Sequence, residues 1–214
     1  MRGLLVDPIR AEKEGPEAFT PYTEALPQAD IVTFHTPLVA RGPWPTIHMM
    51  GSDAIALLKP GATVINTSRG PVCGTRTMVS GLRNGRIGHA VVDVWENEPD
   101  ISRDLLSLAT IATPHIAGYS TDSKLRGTTM AVAALCKFFG LETPWQPPTL
   151  PEPANKRIDL RGYASEEEAN DHLYTEVYDI MADCNALRAN PEAFEKLRGD
   201  YHLRREIDSF EIVR

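Results

Sequence analysis

The sequence predicts an α/β fold in which a doubly wound parallel sheet precedes a small C-terminal α+β region. Short apolar runs alternate with helix-like segments over roughly the first 140 residues, which is typical of βαβ units. Several runs are almost continuously apolar, as expected when helices cover both faces of the sheet. A proline-rich stretch at residues 144–153 then separates this pattern from a different one. We therefore predict two domains, residues 1–148 and 149–214.

The predicted strands are short runs rich in apolar and β-branched residues. Each run ends at polar residues or proline, where an extended segment would leave the sheet. The runs are residues 4–7, 31–34, 63–66, 90–94 and 110–113.

The predicted helices lie between and after these runs and mostly end at glycine or proline. The longest ends at Gly140, and apolar residues recur along one of its faces up to Phe139. Beyond the prolines, the segment from Ser165 to Glu168 matches a capping box, and apolar residues follow it at helical spacing. The helices are predicted at residues 53–58, 77–84, 102–108, 121–139, from 165 through 187, and 190–197.

Composition restricts the possible partners. A formal charge of -7 argues against nucleic acid or an anionic membrane as the main partner, because both require a basic face. A small phosphorylated ligand stays possible, since a few basic side chains can hold it. No apolar run approaches the roughly 20 residues that span a bilayer, and the three scattered cysteines indicate reduced thiols in the cytoplasm. We predict no metal site, because metal-ligand spacing is absent among His35, His48, His172 and His202.

Chemically useful side chains follow three of the predicted strands. Ligands of open α/β sheets bind at the carboxyl ends of strands. Arg69 follows residues 63–66, and its guanidinium could hold a substrate carboxylate through two parallel hydrogen bonds. Asp93 and Glu98 follow the next strand, and His115 the one after. We expect Glu98 to fix the tautomer of His115 and favour its protonated form, so that the imidazole exchanges a proton with a reacting oxygen.

Two earlier segments are less specific. Asp7 closes the first predicted strand, where an acid can bind the ribose hydroxyls of a dinucleotide, although a turn residue is the plainer interpretation. Thr36 follows the second strand, which could equally be an ordinary exit into a loop. No G-x-G-x-x-G motif occurs in the chain.

The segments T-S-R-G, D-V-W-E-N-E-P and T-P-H-I-A-G-Y, in this order and spacing, resemble the signatures of the D-2-hydroxyacid dehydrogenase family. The resemblance implies an NAD-binding Rossmann domain and a catalytic set of Arg69, Glu98 and His115. The NAD contacts that it implies are Asp7, Thr36, Thr67, Ser68, Asp93 and Gly118.

Further stretches resemble one branch of that family. They are A-D-I-V-T-F-H-T-P-L, G-P-W-P-T-I-H, S-T-D-S-K-L-R-G-T and F-E-K-L-R-G-D-Y-H-L-R-R-E, and with the signatures they extend the resemblance over essentially all 214 residues. The branch implies a small phosphorylated hydroxyacid as substrate, contacted by Arg69 and Tyr119. It also implies a homodimer formed through the C-terminal region.

Two departures from the family pattern lead to further expectations. Gly74 stands where the family has an acid that caps the next helix, and we expect Thr75 to cap instead. The family's substrate domain, first strand and glycine-rich loop should precede Asp7, so we expect a fragment or a truncated reading frame. Two alternatives stay open: a dehydrogenase for glycerate, lactate or phosphoglycerate, and an inactive chain that only dimerises through residues 151–214.

Overall fold

The computed structural model describes residues 1–142 and 145–214, and within them the chain forms two compact units. Pro144, where the predicted linker begins, lies outside the described residues. The domain boundary at residues 148 and 149 stays a prediction. The units are Met1–Ala117 with Asp183–Gly199, and Gly118–Ala182 with Asp200–Arg214.

The first unit is built on a parallel sheet whose four strands lie side by side in chain order. Val64 lies opposite Val32 on one side and Ala90 on the other, so the second strand is central. The predicted parallel α/β fold is confirmed. The strands are β1 (Ile31–Phe34), β2 (Ala62–Asn66), β3 (Ile87–Val92) and β4 (Ile111–Ala112).

Helices connect these strands, as βαβ crossovers require. Alternate residues of β2 are buried, and Val64 has no exposed surface at all. Phe194, in the segment Asp183–Gly199 of this unit, packs in the same core. The helices of the first unit are α1 (Pro8–Glu14), α2 (Tyr22–Ala25), α3 (Ser52–Leu57), α4 (Thr75–Arg83) and α5 (Arg103–Leu108); later in the chain the unit also holds most of α8 (Ile180–Ala189) and α9 (Phe194–Gly199).

The strand predicted at residues 4–7 is wrong. This segment pairs with no strand of the described residues, and the Leu5 carbonyl accepts a hydrogen bond from the Thr20 N–H at 2.8 Å. A run of apolar residues becomes a strand only where a neighbour completes its hydrogen bonds. Asp7 instead caps α1, accepting a hydrogen bond from the Arg10 N–H at 2.9 Å.

The second unit contains the long helix α6 (Thr121–Phe139), which has the predicted bounds and ends at Gly140 with φ of 64°. Much of its apolar face is exposed, since Leu135 and Phe139 are 57% and 61% exposed. Only Cys136 of this helix is buried. The helix therefore presents apolar side chains that this chain does not cover within its described residues.

A small core holds the rest of the second unit together. Ile158, Leu160 and Leu173 are its buried members. The predicted continuous helix through residue 187 is interrupted, because the Asp179 carboxylate accepts the N–H groups of Met181 and Ala182 at 3.1 Å and starts a new helix. The elements of this unit are β5 (Arg157–Asp159), α7 (Glu166–Val177), the first turn of α8, and β6 (Glu211–Val213), which pairs with β5 in parallel. No helix of the described residues is long and apolar enough to cross a membrane.

Candidate active site

Three loops leave the sheet of the first unit at the same edge. Because β2, β3 and β4 run parallel, their carboxyl ends lie side by side. The loops that follow them contain residues 67–70, 93–98 and 113–117, which include Arg69, Glu98 and His115. The sheet therefore brings the three sequence signatures to one edge.

Glu98 and His115 form a hydrogen-bonded pair. The distance from His115 Nδ1 to Glu98 Oε2 is 2.8 Å, and the two side chains are 24% and 20% exposed. An ionised carboxylate can only accept, so Nδ1 carries the hydrogen and Nε2 is left to exchange a proton. His115 has φ of 59°, an uncommon value for a residue with a side chain. Its N–H donates to the Asp93 carbonyl at 2.8 Å, which holds this backbone conformation.

The ionised form of Glu98 is favoured. Burial opposes ionisation, but the hydrogen bonds from His115 and from the Trp95 N–H outweigh it and lower the pKa of this carboxyl below its ordinary value. The Trp95 N–H lies 2.8 Å from Glu98 Oε1, so both carboxylate oxygens have donors. The pair can therefore hold an imidazolium beside a fixed negative charge.

Asp93 organises the backbone around His115. Its buried carboxylate accepts the Thr113 hydroxyl at 2.6 Å, the Ile116 N–H at 2.8 Å and the Ala117 N–H at 3.1 Å. Burial raises the pKa of Asp93, and these three hydrogen bonds only partly offset the rise. The side chain is only 2% exposed. Its contact with NAD stays a prediction.

Arg69 stands on a loop organised by Asn66. The Asn66 side chain donates to the Arg69 carbonyl at 3.0 Å and accepts the Ser68 hydroxyl at 2.9 Å. Arg69 is exposed, and its Nη1 donates to the Ser68 carbonyl at 2.6 Å. No ion pair of Arg69 is found in the described part of the chain, so its convergence with the Glu98–His115 pair stays a prediction. Asn66 was missed in the sequence, although a buried amide ending an apolar strand is a recognisable signal.

Gly70 brings the Arg69 loop against the Glu98 loop. A Cβ atom at Gly70 would lie 2.5 Å from the Glu96 N and closer still to the Trp95 carbonyl group. Trp95 is itself fixed, because its indole N–H donates to the Thr113 carbonyl at 3.0 Å. The absence of a side chain at Gly70 thus allows two backbones to touch, which fits the signature T-S-R-G.

Glu96 supplies the helix cap that Gly74 lacks. The expectation that Thr75 caps α4 is wrong: Gly74 is the N-cap residue, and the Thr75 N–H donates to Glu96 Oε2 at 2.6 Å. The other oxygen of Glu96 lies 2.7 Å from His48 Nε2. Burial of Glu96 is outweighed by these hydrogen bonds, which lower its pKa. From the sequence, Glu96 was given no role and His48 was considered only as a metal ligand.

The other predicted contact residues are spread over the two units. Thr36 has a buried hydroxyl oxygen that lacks a hydrogen-bond partner within the described residues. Thr67 is partly buried in the loop after β2. Asp7 caps α1, as described above, while Gly118 and Tyr119 begin the second unit.

The chain belongs to the D-isomer specific 2-hydroxyacid dehydrogenase family, whose NAD-binding-domain model matches residues 1–117. A second family model, a domain of unknown function, matches residues 149–214. These matches confirm the family predicted from the three signatures.

Curated relatives carry the name erythronate-4-phosphate dehydrogenase, the branch that the longer stretches indicated. The one from Bacteroides fragilis is 44% identical over 210 residues, covering 98% of this chain and 58% of the relative. The one from Escherichia fergusonii is 40% identical over 217 residues, covering 100% of this chain and 57% of the relative. The chain therefore spans little more than half the length of these relatives.

A solved structure shows the same fold. The apo form of D-mandelate dehydrogenase from Rhodotorula graminis matches 70% of this chain and 44% of its own, with a TM-score of 0.53 and 24% identity. At this identity the likeness concerns the fold alone.

Proposed function

We propose that this chain provides the catalytic groups for the NAD-dependent oxidation of 4-phospho-D-erythronate to 2-oxo-3-hydroxy-4-phosphobutanoate, a step in pyridoxal phosphate biosynthesis. The observation that carries the proposal is the hydrogen bond of 2.8 Å between Glu98 and His115 at the carboxyl edge of the sheet. The name shared by relatives at 40–44% identity supports the choice of substrate.

His115 is the acid–base group in this proposal. Its Nε2 takes the proton of the substrate's C2 hydroxyl during oxidation and returns it during reduction. Glu98 stabilises the resulting imidazolium, and Arg69 orients the C1 carboxylate through paired N–H donors. When bound, NAD accepts the hydride that leaves C2. The protein contributes alignment and charge.

The residues at the sheet edge fit a nicotinamide dinucleotide. The Thr36 hydroxyl oxygen, two residues beyond β1, is buried and has no hydrogen-bond partner among residues 1–142 and 145–214, and such a group normally bonds to a ligand or water. The remaining residues that would hold NAD are Asp7, Thr67, Ser68, Asp93 and Gly118, and Tyr119 would contact the substrate together with Arg69.

The active form in this proposal is a cytoplasmic homodimer. The exposed apolar face of α6 supports association, since Phe138 is 81% exposed and Met130 is 66% exposed. We place the principal contact in residues 149–214. Light scattering of the purified chain measures the mass in solution, and a monomer at micromolar concentration would count against the dimer.

Two experiments test the activity. Isothermal titration of the 214-residue chain with NADH measures cofactor binding directly. Turnover is measured on a chimaera in which this chain replaces the matching 210 residues of the Bacteroides fragilis relative. We expect oxidation of 4-phospho-D-erythronate in preference to D-glycerate, D-lactate and 3-phospho-D-glycerate. His115→Ala should lower kcat of the chimaera by about 10²–10⁴-fold.

Each alternative has its own outcome. Faster oxidation of one of the other three hydroxyacids would show that the proposed substrate is wrong and that the proposed dehydrogenase activity is right. A chain that forms dimers but does not bind NADH would favour the inactive polypeptide. Near-normal turnover of His115→Ala would remove this residue from its role.

A further inference from the structure

Backbone strain in the first unit is concentrated at and beside the loops of the candidate site. In the part of the chain that the structure describes, the non-glycine residues with positive φ are His48 at 51°, Asn97 at 63° and His115 at 59°. Asn97 and His115 lie in loops that leave the carboxyl edge of the sheet, whereas His48 comes from the segment between β1 and α3. Such conformations persist where surrounding contacts fix them, and they cluster at functional sites.

The backbone of His48 is hydrogen-bonded to the segment that follows Arg69. The His48 N–H donates to the Pro71 carbonyl at 2.7 Å, and two residues later the Met50 N–H donates to the Val72 carbonyl at 3.0 Å. Met50 and Val72 have no exposed surface, so this short parallel pairing is anchored in the core of the first unit. His48 therefore has a fixed position beside the loop that carries Arg69.

The side chain of His48 reaches the loop that carries Glu98. Its Nε2 lies 2.7 Å from Glu96 Oε1, and an ionised carboxylate can only accept, so Nε2 carries the hydrogen. Asn97 alone separates Glu96 from Glu98, and its positive φ marks a turn between the two acids. Glu98 in turn contacts His115 at 2.8 Å. A series of contacts thus connects His48, through the Glu96 loop, to the imidazole of His115.

Glu96 is held at both of its carboxylate oxygens. Besides the contact with His48, its Oε2 accepts the Thr75 N–H at 2.6 Å. The imidazole of His48 occupies space that Gly74 leaves open, since a Cβ atom at Gly74 would lie 3.3 Å from His48 Cδ2. Loss of the histidine contact would leave the carboxylate with one anchor, so that it could turn together with its loop.

We propose that His48 is a positioning residue: by binding Glu96, it holds the loop of Glu98 against the segment that follows Arg69. The role rests on the proposed function, because alignment of Glu98 and His115 matters only if they act on a substrate. In this role His48 acts through Glu96 and not on the substrate itself. Displacement of an aligned acid–base group slows the reaction without weakening the binding of a cofactor held elsewhere.

The expected size of the effect follows from the exposure of the pair. The side chains of His48 and Glu96 are 56% and 21% exposed, so solvent screens part of their attraction. Ion pairs of this kind shift the balance between two geometries by roughly 5-fold at most. We therefore expect a modest loss of turnover and not an inactive enzyme.

The imidazole N–H signal of His115 tests the connection without catalysis. In the 214-residue chain, His48→Asn removes the contact with Glu96 because its amide is too short, while asparagine tolerates a positive φ. We expect the His115 signal to move in His48→Asn and to return towards its wild-type position in His48→Gln, whose amide nitrogen reaches about as far as Nε2. His89→Asn is the matched control, since it replaces an exposed histidine of β3 whose Nδ1 lies 3.2 Å from the Thr110 hydroxyl.

Kinetics of the chimaera measure the effect on turnover. For His48→Asn we expect kcat for 4-phospho-D-erythronate to fall about 5-fold, with KM for NAD unchanged. His48→Gln should recover most of the loss, and His89→Asn should cause none. In a Glu96→Ala background, His48→Asn should cause no further loss, because the contact through which it acts is already absent.

Several results would overturn the role of His48. They are an unmoved His115 signal or an unchanged kcat in His48→Asn, an equal loss in His89→Asn, and a loss that His48→Gln does not recover or that Glu96→Ala does not abolish. If the unmodified chimaera binds NADH but does not oxidise 4-phospho-D-erythronate, the proposed function fails. The His115 signal alone then decides whether His48 positions this loop.

Discussion

The close approach of the Trp95 and Glu96 backbone to Gly70 predicts that a side chain at this position destabilises the protein. In Gly70→Ala, the new Cβ would meet Glu96 N at 2.5 Å, whereas ordinary contacts begin at 3.4 Å. The Trp95 carbonyl group lies closer still, so the two loops must separate by more than about 1 Å, and because both obstacles are backbone, no side chain can turn away to relieve the overlap. We expect a loss of about 3 kcal/mol in the free energy of unfolding of the first unit, at the upper end of the usual range for overpacking.

The same displacement should disturb the candidate site. Trp95 donates its N–H to Glu98 at 2.8 Å, so moving Trp95 weakens the support of the Glu98–His115 pair. Urea unfolding followed by tryptophan fluorescence measures stability, and the downfield imidazole N–H signal of His115 reports the pair. Gly3→Ala is the control, because nothing lies within 4 Å of its Cβ position. If Gly70→Ala unfolds at the same urea concentration as Gly3→Ala and keeps the His115 signal, the explanation of this glycine is wrong.

Three further predictions concern single side chains. Glu96→Gln should lower stability by about 1 kcal/mol, because it removes the charged cap of α4; urea unfolding checks this, and an unchanged midpoint would contradict it. The pKa of Glu98 is lowered in the folded state, so ionised Glu98 increases the free energy of unfolding. This contribution is complete above the unfolded pKa of about 4.3 and is lost as the pH falls through the folded value. The free energy of unfolding, measured from pH 7 to 3, should be lower for Glu98→Gln than for the wild type at neutral pH. The two values should become similar only at the acidic end. Ser165→Ala should cost about 1 kcal/mol, because it removes the acceptor of the Glu168 N–H of α7, and thermal unfolding by circular dichroism should show no loss if this cap is unimportant.

Local chemistry explains why most of the helices could be predicted. The bounds of α6 follow from a cap at Ser120, whose hydroxyl accepts the Ser123 N–H at 2.9 Å, and from the positive φ of Gly140. Both signals lie within the segment itself. The strand at residues 4–7 failed for the opposite reason, since a strand depends on a partner that its own residues do not specify.

In the candidate site, too, some features could be predicted from the sequence and others depend on distant partners. Glu98 and His115 could be paired in advance because both follow strands of one parallel sheet, which fixes the edge where they emerge. The cap of α4 by Glu96 could not be foreseen, because the carboxylate is 21 positions away from the helix start in sequence. The close approach of the Trp95 backbone to Gly70 could not be foreseen either. Contacts between loops can be predicted only when the geometry of the sheet is known.

The two acids of the loop after β3 have different hydrogen-bond partners, and this contrast explains their different roles. Asp93 is buried, which raises its pKa, and its two oxygens accept hydrogen bonds from the Thr113 hydroxyl and from two backbone N–H groups of the loop that holds His115. Glu98 is less deeply buried and faces an imidazole, and its pKa is lowered. An ionised carboxylate that contacts the ring can stabilise an imidazolium as it forms. Asp93 therefore holds the backbone on either side of His115 in place, while Glu98 orients its ring.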